Sequence, residues 1–167
     1  MHSDCTVAID SGLINIRVGA IIIKDNEFLM VGNERQNYLY SVGGRVKFGE
    51  TAEEAVVREV YEETGVKLEV SHLGFIHENY FYGDDLMNKD KMIYEISFYF
   101  YMKTPADFEP KCESFTEDSS KERLVWVTAD SETKYYPEFF RTELNDSENG
   151  LKHIVTDERL KEVKNNE

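Results

Sequence analysis

Glu59, Glu62 and Glu63 stand at i, i+3 and i+4 within Thr51–Thr64. On an α-helix that spacing gathers three carboxylates into one sector, where like charges repel. Placed at about 100° per residue from Thr51, the small residues Ala52 and Ala55 share the acidic side. Val56, Val57, Val60 and Tyr61 make a separate apolar stripe, expected to face the core. Repelling acids with small neighbours suit a hard divalent cation, which takes carboxylate oxygens and, for magnesium, substrate phosphates as well. By itself the acidic face reads first as an ordinary solvated surface. Glu54, Arg58 and Glu62 also have the spacing of a modest i, i+4 ladder.

The residues upstream change that balance. From Gly44 the chain runs GRVKFGETAEEAVVREVYEETGV. It fits the pattern G-x5-E-x7-R-E-U-x-E-E-x-G-U, with U a bulky aliphatic, at Gly44, Glu50, Arg58, Glu59, Val60, Glu62, Glu63, Gly65 and Val66. A complete match arises by chance about once in a million sequences of ordinary composition. The stretch resembles the signature of the Nudix hydrolases. The strands before it and the strand, tryptophan and helix order after it extend the resemblance over residues 13–156.

The resemblance implies an α/β fold, a Nudix-type α/β/α sandwich with a mixed β-sheet and the signature as a loop–helix–loop. It implies hydrolysis of a nucleoside diphosphate linked to another moiety X (a nucleotide, sugar nucleotide or dinucleoside polyphosphate), with Mg2+ or Mn2+ required. The metal ligands it carries over are Glu59, Glu62, Glu63 and the carbonyl of Gly44. Glu62 and Glu63 are also catalytic candidates, with Glu50 holding water or orienting Arg58. Arg58 points away from the metal sector and reads as a brace, since ligands need oriented support. The cations would orient the diphosphate and acidify the attacking water. The family's general base often comes from a later loop, which here offers Glu117, Asp118 and Glu122, with Glu122 preferred. The chain departs from many relatives in having Val42 where they have proline before the paired glycines. A non-catalytic Nudix-fold nucleotide-binding or sensor domain is the alternative.

These residues need elements to hold them. Thr51 with Glu54 makes a capping box for the helix, and Gly65 suits its left-handed end. Val18–Ile23 reads as a buried strand, Asp25-Asn26 as a turn and Glu27–Val31 as a returning strand. Strand character continues over 68–82, 92–102 and 124–127, the last holding Trp126. Pro137 suits the start of a helix reaching about Leu144, and Ile154-Val155 a last extended segment. Residues 1–12 are expected to be a leader, 13–156 a single domain, and 157–167 a charged C-terminal helix or tail.

Composition narrows the partners. The 167 residues hold 19 Lys and Arg against 33 Asp and Glu, a net charge of −14. Such a chain has no general attraction for a phosphate backbone, so duplex nucleic acid is not expected. Cations would let an acidic pocket hold an acidic substrate. No stretch is long and apolar enough to suggest a membrane span. Cys5 and Cys112 lack metal-ligand spacing, and a cytoplasmic location is expected. Oligomeric state stays open, a homodimer included.

Aromatic residues bear on the substrate. Tyr80 and Tyr82 stand where some relatives that cleave dinucleoside polyphosphates carry a tyrosine, and a strand core explains them equally well. Tyr135, Tyr136, Phe139 and Phe140 could stack on a base or pack a helix against a sheet. His72, His77 and His153 read as core or surface residues.

Overall fold

The computed structural model describes residues 3–83, 88–111, 121–144 and 150–159. Cys112, Glu117, Asp118 and the tail from residue 160 lie outside the described residues.

Two sheets carry the site. The first opens with β1 (Thr6–Ile9) and β2 (Gly12–Ile21), an antiparallel pair. A turn with positive φ at both Asp25 and Asn26 joins β3 (Ile23–Lys24) to β4 (Glu27–Asn33), as a tight hairpin requires. Next come β5 (Leu39–Ser41), β6 (Gly43–Arg45), helix α1 (Ala52–Thr64), β7 (Val70–Tyr82) and β8 (Met92–Met102). The described chain closes with β9 (Glu122–Val127), β10 (Tyr135–Tyr136), the short helix α2 (Phe140–Glu143) and β11 (Lys152–Asp157). The first sheet is ordered β1-β2-β8-β7-β11 with β6 also on β2; the second is β10-β5-β4-β3 with β9 on β4. Both are mixed. β2 pairs β8 in parallel, β7 pairs β8 antiparallel, and β10 pairs β5 in parallel.

Strand alternation separates two cores. Val18, Ala20, Leu29 and Val31 point to one face, where Ala55, Val56 and Val60 of α1 cover them. Ile21, Phe28 and Met30 point to the other, covered by Phe140 of α2 and Leu144. The result is an α/β fold with helices on both faces. Val56 and Val60 are fully buried, each contributing about 1.5–3 kcal/mol through burial.

Helix α1 begins and ends as its residues dictate. The Thr51 hydroxyl accepts from Glu54 N at 3.2 Å, and the Glu54 carboxylate accepts from Thr51 N at 2.8 Å. Gly65 takes φ 70°, and its N–H donates to the Tyr61 carbonyl at 2.9 Å.

Three expectations change. Part of the stretch expected as a leader is a strand: β1 pairs with β2 along Thr6–Asn15 to Ile9–Gly12 and leaves Val7 and Ile9 exposed. A strand at a sheet edge is held by backbone hydrogen bonds and needs no strong apolar pattern. The helix after Pro137 spans only Phe140–Glu143. Tyr61, read as part of the core stripe, is exposed, with the Lys67 ammonium 5.3 Å from its ring. The buried face of α1 is rotated toward the acids and includes Ala55, Val56, Val60, Glu63 and Thr64.

Candidate active site

The paired glycines lie beside β2, where Val18 is opposite Gly44 and Gly19 opposite Gly43. Gly43 has φ 146°, a conformation that favours glycine, and a side chain there would strike the Val18 carbonyl. A Cβ on Gly44 would sit 2.5 Å from Oε1 of Glu59. The missing side chains are what let α1's carboxylates reach the strand backbone. Glu63 completes the approach: its Oε2 accepts from Gly43 N–H at 3.0 Å.

Arg58 organises the helix side. Its Nη2 donates to Glu50 Oε1 at 2.5 Å and its Nε to Glu50 Oε2 at 3.0 Å, a two-pronged contact. Nη1 reaches Glu59 at 2.6 Å and Glu62 at 3.2 Å, and Nη2 also donates to the Arg45 carbonyl at 3.1 Å. Glu50 is anchored by Lys47 N–H at 2.7 Å. The Arg58 contact therefore holds the Glu50 carboxyl below its ordinary value, and Glu50 raises Arg58 in turn.

Glu63 is 7% exposed, and nothing nearby balances its charge in the same way. Burial pushes its carboxyl well above the usual range, and the charges of Glu122 and Glu59 push it further. Gly43 N–H and Arg17 oppose the shift without cancelling it. Glu59 is raised too, by burial against the pull of Arg58. Glu62 and Glu63 also lie in a last helical turn that holds no basic residue, so they run against the helix dipole.

The expected residues separate into groups. Gly44, Glu59 and Glu63 come together, and Glu50 and Arg58 support them. Glu62 sits at the rim, its side chain 49% exposed and 3.9 Å from Lys47. Glu122 is buried on β9, close enough to Glu63 to repel it, and accepts from the Tyr40 hydroxyl at 2.7 Å. Tyr80 and Tyr82 do not join the cluster. Tyr80 pairs with Tyr94, and Tyr94 with Ile14. Ile14 is four residues along β2 from Val18, about 13 Å.

Two residues of the cluster were missed from the sequence. Tyr40 gave no signal beyond standing shortly before the glycines. Arg17 did give one, as a cation at the edge of an apolar strand. It lies 3.7 Å from Glu95, and burial, which opposes its charge, is outweighed by Glu95, Tyr99, Glu59 and Glu63. Among the described residues, no three acidic, histidine or cysteine side chains form a closed metal cage. The donor set is an open one: two carboxylates and a backbone.

A family model described as NUDIX domain matches residues 14–143, and the chain belongs to the Nudix family. It is 44% identical over 61 residues to an ADP-ribose pyrophosphatase of Methanocaldococcus jannaschii, covering 35% of this chain and 36% of that protein. It is 42% identical over 67 residues to putative nudix hydrolase 1 of Caenorhabditis elegans, covering 36% of this chain and 18% of that protein. The chain thus matches well under half of either relative's length. The crystal structure of a mutator MutT protein from Bacillus halodurans superimposes with a TM-score of 0.61 at 18% identity, covering 87% of this chain and 92% of that one. An ADP-ribose pyrophosphatase from Streptococcus suis gives 0.56 at 14% identity, covering 84% and 98%. At such identities the likeness is one of fold.

Proposed function

We propose that this chain is a divalent-metal-dependent pyrophosphohydrolase. Its substrate is a nucleoside diphosphate linked to another moiety, cleaved by attack of water at phosphorus in a cytoplasmic setting. The observation that carries this reading is the convergence of two buried carboxylates, Glu59 and Glu63, on Gly43-Gly44, with the charge of Glu63 only partly balanced.

Glu59, Glu63 and the Gly44 carbonyl would hold Mg2+ or Mn2+, with Glu62 as a ligand at the rim. The residues fit such an ion. They are hard oxygen donors in an open set, and magnesium is usually held by one or two carboxylates together with substrate phosphates. When bound, the ion offsets the diphosphate's charge and lowers the pKa of the attacking water. Arg58, fixed by Glu50, keeps Glu59 aimed at Gly44. Glu122 is the general base in this reading. Its charge acts on Glu63, and its carboxylate is positioned by the Tyr40 hydroxyl.

The test is a panel of nucleoside triphosphates, sugar nucleotides, ADP-ribose and dinucleoside polyphosphates, assayed with magnesium and with manganese. One class should stand out by kcat/KM, because weak turnover of many substrates would not identify the natural one. Hydrolysis in H2(18)O should label one product phosphate. A ligand that binds with magnesium and is never cleaved would favour the sensor reading, and no turnover with either metal would overturn the hydrolase.

A further inference from the structure

The face of the second sheet that carries Glu122 also carries a second cluster, separate from the carboxylates. By register, Leu124, Val31, Tyr40 and Tyr136 make one cross-strand row, and Glu122 lies opposite Asn33 in the next. Tyr38, two residues before Tyr40, falls on the same side as Tyr40 if strand alternation continues. The Tyr38 and Tyr136 rings meet edge to face at 5.2 Å. The Lys134 ammonium lies 5.2 Å from the Tyr136 ring and 5.9 Å from that of Tyr38.

These rings do not build the core. Leu39 and Tyr135, on the opposite face, are 2% and 0% exposed, whereas Tyr136 is 39% exposed. Of the four aromatics the sequence offered for stacking, Tyr135 and Phe140 are fully buried and Phe139 packs on Phe75, His77 and Tyr99. Tyr136 remains, joined by Tyr38. One strand spacing, about 4.8 Å, separates it from Tyr40, whose hydroxyl is on Glu122. An accessible aromatic pair with its own cation therefore borders the acid cluster, in a chain of net charge −14.

We infer that Tyr38, Lys134 and Tyr136 form the subsite for the base end of the substrate, a nucleobase whose phosphates extend past Tyr40 to the Glu59–Glu63 carboxylates. The inference rests on the hydrolase reading and adds which side chains of this chain would hold the nucleobase. Any base offers a π-face, so tyrosine rings bind it with little sequence preference. Lys134 adds a positive charge suited to an anionic ligand.

The experiment compares the wild type with Tyr136→Ala, Tyr38→Ala and Tyr136→Phe on two substrates: the best nucleotide of the panel and an alkyl diphosphate ester. Each alanine variant should raise the nucleotide KM by about 5- to 150-fold with kcat little changed, the range expected for loss of one stacking contact. Tyr136→Phe should keep most of the affinity, and turnover of the alkyl ester should be unaffected. Calorimetric titration of a nucleoside monophosphate, without metal, should show the same loss of affinity. Equal losses on both substrates, or unchanged monophosphate binding, would overturn the subsite. If the wild type hydrolyses neither compound, the hydrolase reading fails, and the monophosphate titration still decides the subsite.

Discussion

Two charged clusters lie at opposite edges of the first sheet, one where β6 joins β2 and one along β8, β7 and β11. At the glycine end, Glu63 and Glu59 are buried against backbone, and both carboxyls are pushed up. At the far end, Glu78 accepts from the Tyr94 hydroxyl and from His153 at 2.7 Å, and Tyr94 stacks on Tyr80 at 4.3 Å. Arg159 sits 3.5 Å from the Tyr80 ring and pairs with Asp157 at 2.7 Å. There the carboxyls are held down, Glu78 by Tyr94 and then His153, and Asp157 by Arg159. The far cluster is complete as the chain folds. The glycine-end cluster is charge-frustrated, and its imbalance has the sign a cation would correct. The carboxyls of the two clusters thus shift in opposite directions, up where burial dominates and down where hydrogen-bond donors dominate.

The largest effect is expected from Glu63→Gln. The amide keeps an acceptor for Gly43 N–H and removes one of the repelling charges. Turnover in magnesium should fall by about two to four powers of ten. In chelator the variant should melt no lower than the wild type, because the repulsion among Glu59, Glu63 and Glu122 is relieved. Near-normal turnover, or a marked loss of stability in chelator, would make Glu63 an ordinary structural acid.

What the sequence showed of this site was what is local. The capping box, Gly65 and the carboxylate spacing all lie within one helix and its ends, so the residues that fix the geometry are neighbours in the chain. The pairing of β2 with β8 and of β7 with β11 joins segments far apart in sequence, and no local pattern encodes it. Helical spacing put Glu59, Glu62 and Glu63 in one sector and could not say that Glu63 points inward while Glu62 stays at the rim. That depends on where Gly43 and Gly44 bring β6. Likewise Tyr135 and Tyr136 look alike in sequence, and only the alternation of a two-residue strand sends one inside and the other out.

The other face of β7 has its own pH signature. His77 is buried between Tyr99 and Phe139, with Thr156 at 2.9 Å, and burial lowers its pKa to about 4. The unfolded chain takes up that proton near pH 6.5 and the folded one does not, so stability is full above 6.5 and declines as the pH falls toward 4. The loss is about 3 kcal/mol, read from denaturant melts across that range. His77→Leu should flatten the profile, and an unchanged slope would show that other groups set it.

Metal should act only at the glycine end. Magnesium at about 100 times its Kd should stabilise the fold by about 2.7 kcal/mol, near 5–10 °C in Tm for a chain of this length. Chelator should reverse the shift, and Glu63→Gln should lose most of it. An equal gain in that variant would place the ion elsewhere.

The smallest effects are expected from the far cluster, and they bear most directly on the comparison. Arg159 is exposed and pairs with a half-buried Asp157 two residues away, a local contact of a kind that contributes little to stability. Tyr80 gives up a stacking partner, Tyr94, that keeps its hydrogen bond to Glu78. Arg159→Ala and Tyr80→Leu should therefore lower Tm slightly and leave kcat/KM unchanged with magnesium. A loss of about tenfold in kcat/KM, equivalent to about 1.4 kcal/mol of transition-state binding, would point to contact with substrate, because β2 and β8 separate this cluster's strands β7 and β11 from β6 and the acids of α1. Tyr80 would then line the substrate path, and the sheet would hold one extended site instead of two clusters with opposite electrostatics.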